Sequence, residues 1–166
     1  MDLEERVAGL ERRISALEEK PAEAPPVGEG PLWALEGFKE QLAGIGAADG
    51  GVMFTGAVRL PTSDRYEWQY GVLTEELIES DWSDAAESFA ALGHPVRLRL
   101  LREILAGRRT VAELTELVGL GTTGKVYHHL RQLTGTGWLH IESRGRYEVP
   151  AARVVPLLVV LSAACP

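Results

Sequence analysis

The chain has 166 residues, 45% apolar and 25% charged, which suits one well-buried core with an appendage and argues against disorder. A single cysteine, Cys165, excludes an intramolecular disulfide and a cysteine-rich metal site, and there is no apolar signal segment and no run of about 20 apolar residues, so the expectation is a cytoplasmic protein that does not enter the membrane. The net charge of −7 is unevenly spread: residues 1–80 hold 7 basic and 16 acidic groups, residues 81–166 hold 10 and 8, and the mildly basic back half is open to a nucleic-acid partner.

Residues 1–20 carry Leu3, Val7, Leu10, Ile14 and Leu17 at alternating steps of four and three. With β-branched Val7 and Ile14 at a and leucines at d, the pattern predicts a two-stranded parallel coiled coil. Arg6 and Arg13 at g then face Glu11 and Glu18 at e of the partner, whereas an antiparallel pair would set like charges together. A single amphipathic helix packed on its own domain is the plainer alternative. The seam is under three heptads, so it would assist a dimer made elsewhere. Residues 21–31, PAEAPPVGEGP, form a semi-rigid linker.

Residues 32–80 read as a small accessory unit of a helix and a β-hairpin. LWALEGFKEQLAGIG has helical spacing, and GVMFTGAVRL and YEWQYGVLT flank the polar turn PTSDR. Tyr66, Trp68, Tyr70 and Val72 share one strand face by the period of two. Such a stripe is either core against a neighbouring helix or, if the chain senses a ligand, the wall for a small apolar effector at Tyr66, Trp68 and Tyr70. A protein partner for this unit is the other use open to it.

Residues 81–166 form the third domain. SDWSDAAESFAALG opens on capping residues and ends at Gly93. HPVRLRLLREILAGRR restarts with Pro95 in the first turn, and Arg97 beside its apolar stripe suggests a partly buried ion pair. Thr110 and Glu113 make a capping box for TVAELTELVGL. GLGTTGK, residues 119–125, has the glycine spacing of a nucleotide loop, but a capped helix precedes it and Val126 stands where a magnesium-binding hydroxyl belongs. The glycines therefore serve a turn, and TTGKVYHHLRQLTGTG is the second helix of a helix-turn-helix.

On that helix Val126, Leu130 and Leu133 line one side, while Lys125, His128, Arg131 and Gln132 lie opposite with Tyr127 at the margin. A solvated face is the bland reading. The glycine turn before it and the basic hairpin after it, WLHIESRGRYEV with Arg144 and Arg146 at its tip, favour duplex DNA. The N-terminal residues, Thr122 and Thr123 among them, would lie nearest the base edges. Lys125, Arg131, Arg144 and Arg146 would sit on phosphates, and Gln132 and His128 are the better candidates for base contacts. His129, at the edge of the stripe, is expected to be structural.

FAALGHPVRLRLLREILAG and VAELTELVGLGTTGKVYHHLRQLTGTGWL together resemble the ArsR-type winged-helix repressors over roughly residues 83–160. The resemblance implies a homodimer joined through the first and last helices of the domain. AARVVPLLVVLSAA, with Leu157, Leu158 and Leu161, would be the last of these, although its pattern alone also allows a strand broken at Pro156. The ligand sets of metal-sensing members are missing from the corresponding segments, so no metal and no cofactor is assigned. His94 stands where the family usually has an acid or amide before the proline.

The sequence thus predicts an α+β protein: a winged helix-turn-helix domain preceded by a helix–hairpin unit and a coiled-coil helix. The expected function is a dimeric, non-enzymatic regulator that binds double-stranded DNA, a repressor by resemblance, with higher oligomers open if coiled coil and winged helix choose different partners. A protein-interaction scaffold is the alternative, favoured by the acidic front half. No catalytic constellation supports an enzyme.

Overall fold

The computed structural model describes residue 7 and residues 32–117, 122–142 and 145–165, the side chain of Asp84 excepted. The chain divides into two compact units, Met1–Ala48 and Asp49–Pro166. In the first, Val7 is helical and exposed. Leu3, Leu10, Ile14 and Leu17 of the heptad seam, and the linker, lie outside the described residues. Helix α1, Trp33–Gly44, follows and buries none of its residues. It stops where the Ile45 N–H returns to the Gln41 carbonyl (3.2 Å) and Gly46 turns to φ 71°.

The second unit opens with strands β1, Gly51–Arg59, and β2, Arg65–Leu73, paired antiparallel with Gly56 opposite Trp68 and Val58 opposite Tyr66. The register puts Tyr66, Trp68, Tyr70 and Val72 on one face with Phe54, Gly56 and Val58. One end of that face is covered: Tyr66 and Val58 pack on the core, and Leu60, just past β1, belongs to it. Trp68 and Tyr70 remain 37% and 51% exposed. The hairpin falls in a different compact unit from α1, so residues 32–80 are divided between Ala48 and Asp49.

Helix α2, Thr74–Glu79, continues directly from β2 and was not expected. No side chain caps its start; at its end the Ser80 hydroxyl (2.7 Å) and the Trp82 indole N–H (2.8 Å) both donate to the Leu77 carbonyl. Helix α3, Ser83–Leu92, begins where the Asp81 carboxylate accepts from the Ser83 N–H (2.9 Å) and ends at Gly93. Helix α4, Pro95–Leu105, is capped by His94, whose Nδ1 accepts from the Val96 N–H (3.2 Å), so the imidazole does the work of an acid or amide. Helices α5, Val111–Thr115, and α6, Thr123–Gly135, precede the short strands β3, His140–Glu142, and β4, Arg146–Glu148. Helix α7, Ala151–Ala164, closes the fold and runs through Pro156, which removes the strand alternative. Mixed helices with a small antiparallel hairpin in this order are compatible with a winged helix.

The core draws Leu100, Leu101 and Ile104 from α4, Leu114 from α5, the Val126–Leu130–Leu133 stripe from α6 and Val154 and Leu157 from α7. Gly56 lets β1 lie against α7: a Cβ there would stand 2.6 Å from Cγ1 of Val155, whose side chain is 1% exposed. A strand glycine here marks close approach of another element.

Glu103 is the buried charged residue of the core, held by Arg102 (3.0 Å) and Arg108. The hydrogen bond from Arg102, opposed by burial and joined by that from Arg108, holds its carboxyl below the ordinary value of 4.5. A depressed carboxylate contributes stability that is full above the unfolded value and is lost as pH falls through the folded one. Urea midpoints should therefore fall on acidification below about pH 4.5 more steeply in the wild type than in Glu103→Gln. Parallel curves for the two proteins would show that the pair does not form in solution.

Candidate nucleic-acid interface

Helix α5 starts from a complete capping box. The Thr110 hydroxyl accepts from the Glu113 N–H (3.3 Å), and the Glu113 carboxylate accepts from the N–H of Thr110 (2.8 Å) and of Arg109 (3.0 Å). Those bonds from Thr110, with a smaller pull from Arg109 and from Arg146, depress the Glu113 carboxyl. Leu114, fully buried, seats α5 against α6. A Thr110→Ala substitution should lower unfolding free energy by about 1 kcal/mol, read from urea titration, and loss of nothing measurable would mean the box does not hold this helix.

With Val126, Leu130 and Leu133 turned inward, α6 presents Thr122, Thr123, Lys125, Tyr127, His128, Arg131 and Gln132 to solvent. Neither Lys125 nor Arg131 takes part in an ion pair among the described residues, so both charges are available to a polyanion. The N-terminus of α6 adds unpaired N–H groups and the positive end of the helix dipole. Arg146 is exposed on β4, next to Gly145 in the left-handed region at φ 71°, where a side chain would be strained. Ser143 and Arg144 lie outside the described residues, as do residues 118–121 between α5 and α6.

Two contacts on the flank of α6 differ from what the sequence suggested. Among the described residues Arg97 has no ion-pair partner: its guanidinium donates to the carbonyls of Ala90 (2.7 Å) and Ala91 at the end of α3, and to Oε1 of Gln132. The C-terminal carbonyls of a helix attract a cation, so the fold supplies acceptors where the sequence suggested a carboxylate. Gln132 accordingly spends its carbonyl inside the chain. Arginine has no acceptor, so the amide must turn its oxygen inward and can offer only its NH₂ group to a base. Nothing in the local sequence signals this contact, which spans 35 positions.

His129 is half-buried, as its place at the stripe's edge suggested. Its ring lies 4.6 Å from that of His94 and 5.7 Å from that of His128.

The β3–β4 hairpin is tied to the rest of the unit by Arg109, which the sequence did not single out. Its guanidinium meets Glu148 of β4 (3.2 Å) and Asp64 of the β1–β2 turn (3.4 Å), and its carbonyl accepts from the Tyr147 N–H (2.7 Å). Of the hairpin's aromatics, Tyr66 lines a small cleft with Leu60, Ile104 and Val149, and Trp68 borders a surface hollow with Glu67 and Gln69. Leu157 is buried within its own chain, and Leu158 and Leu161 are partly exposed. Among the described residues, no three or more His, Cys, Asp or Glu side chains gather as a metal site, and no helix is long and apolar enough to cross a membrane.

A family model described as a domain of unknown function (DUF7347) matches residues 85–155, from α3 into α7. Over 78 residues the chain is 38% identical to a protein of Streptomyces lividans named a probable mercury resistance operon repressor. That match covers 45% of this chain and 62% of the relative, so the chain spans less than two thirds of that protein's length.

Proposed function

We propose that this chain is a DNA-binding transcription regulator, a repressor of the ArsR kind, that reads duplex DNA as a homodimer. The observation that carries the reading is the unpaired basic face of α6, with Lys125, His128 and Arg131 opposite a fully buried stripe and Arg146 on the hairpin beyond it. The likeness to a repressor over nearly half the chain supports it.

In this reading α6 enters the major groove with Thr122, Thr123 and Tyr127 nearest the bases, and His128 reads a base edge. Lys125, Arg131, Arg146 and Arg144 hold phosphates. Gln132 contributes at most a donor. The dimer is made by Leu158 and Leu161 of α7 and by the heptad seam of Leu3, Val7, Leu10, Ile14 and Leu17, with Leu157 left in its own core. The reading takes the repressor from the relative's name and not the mercury, because soft metals want thiolates and this chain has one cysteine.

The test is binding of the purified protein to the DNA upstream of its own gene and to unrelated DNA, at about 50 and about 200 mM salt. A preference for the upstream site that survives the higher salt is the expected result. Binding to neither DNA would move the assignment to a protein-interaction scaffold, which the net charge of −9 in residues 1–80 favours.

A further inference from the structure

His94 and His129 come from different elements, and their rings pack 4.6 Å apart, tilted by 43°, where the cap of α4 meets the flank of α6. Both rings are built into the junction in a way that only the unprotonated form allows. His94 accepts the Val96 N–H at Nδ1, so that nitrogen must carry a lone pair and not a proton. Nδ1 of His129 is buried with no hydrogen-bond partner among the described residues, and a proton added there would be a buried donor with none of them to receive it. The junction also holds the Arg97–Gln132 bond, and Arg97 reaches on to the end of α3. Helices α4 and α6 therefore meet at this pair of rings, and Arg97 beside it ties in the end of α3.

We propose that the His94–His129 pair is a proton-operated clasp that seats α6 when neutral and releases its flank when protonated. The charged groups acting on His129 are His94 and Arg97 from the α4 side and His128 and Lys125 from α6, every one a cation or able to become one. Glu87 of α3 lines the groove shared by Arg97 and Gln132 and is not among them. Burial first, then those four neighbours, push His129 below the ordinary histidine value of 6.5. With its folded value depressed, the unfolded chain takes the proton first. The stability it contributes is full above about pH 6.5 and is lost as pH falls from there through the folded value. Glu103, Glu113 and Asp81 are depressed carboxylates, so their contribution to stability is lost only below about pH 4.5.

The consequence for DNA rests on the function proposed above. Simple electrostatics makes a more protonated protein bind DNA more tightly. A clasp that opens predicts the reverse, because α6 loses its seating as the pH drops.

The test compares the full-length wild type with a His94→Asn/His129→Phe double variant, at about pH 7.5 and about pH 5.5. Asparagine caps a helix without titrating, and phenylalanine keeps an aromatic ring against it. On acidification the wild type should lose about 4 °C more in Tm than the variant, and about 5-fold more in affinity for the upstream DNA. An equal Tm loss in both proteins would overturn the clasp. If neither protein binds DNA at either pH, the function proposed above fails while the Tm comparison still decides the clasp. Should the variant not fold, an NMR titration of the wild-type histidine rings decides: a His129 midpoint below the ordinary value, with loss of the Val96 amide's protection over the same range, supports it. A His129 midpoint at or above the ordinary value overturns it.

Discussion

Replacing Lys125 and Arg131 together by alanine is expected to weaken binding to duplex DNA roughly 10- to 100-fold at about 0.1 M salt, and to flatten the dependence of log K on log salt by about 2. Each cation that neutralises a phosphate releases close to one condensed counterion, so the slope counts phosphate contacts and the affinity records their sum. Both side chains are exposed on α6 and have no ion-pair partner among the described residues. Their removal should therefore leave the thermal midpoint nearly unchanged, which separates lost contact from lost fold. Equal loss on the upstream site and on unrelated DNA is the signature of phosphate contacts, and a His128→Ala variant should by contrast narrow the gap between the two DNAs. An unchanged salt slope in the double variant would remove α6 from the interface.

The second large effect concerns stability. Gly56→Val should lower the unfolding free energy by about 2–3 kcal/mol, read from urea titration monitored by tryptophan fluorescence. The added Cβ alone would meet Cγ1 of Val155 at 2.6 Å and its Cβ at 3.6 Å. A β-branched side chain on a helix has essentially one χ1 rotamer, and Val155 is buried, so it cannot step aside cheaply. A smaller probe checks the attribution: Gly56→Ala should cost less in a Val155→Ala background than in the wild type, a coupling of about 0.5–3 kcal/mol. Additive effects would mean that β1 does not pack on α7 in solution. The link from the β1–β2 turn to β4 through Arg109 would then have little to hold it in place.

Much of the second unit was legible from local pattern. The capping box at Thr110 and Glu113, the stop at Gly93, the hairpin around PTSDR and the inward stripe of α6 all depend on residues a few positions apart. Side-chain caps and periodicities of two or 3.6 act over that range, so a single sequence suffices to read them. The exposed face of α6, and with it most of the candidate interface, follows from the same stripe. Helix α2 was not legible because the alternation of β2 runs straight into it and no side chain caps its start. Helix α7 was ambiguous for the opposite reason. It packs on the hairpin as well as on the core, so its apolar residues surround it and leave no amphipathic signal.

What the sequence by itself determined is the order of the elements other than α2 and α7, the inward stripe of α6 and the chemical character of the face it turns out. What only the tertiary structure decided is who meets whom. Arg97 was an obvious partner-seeker, but its acceptors are carbonyls of α3 and the amide of Gln132. Gly56 was not singled out in the sequence, and only the packing brings it against Val155. The aromatic strand was plain, but not that its cover ends between Tyr66 and Trp68. These pairings join residues tens of positions apart, where chain connectivity imposes no geometry and many partners are chemically acceptable. Only the packing of the second unit's elements into one core selects among them.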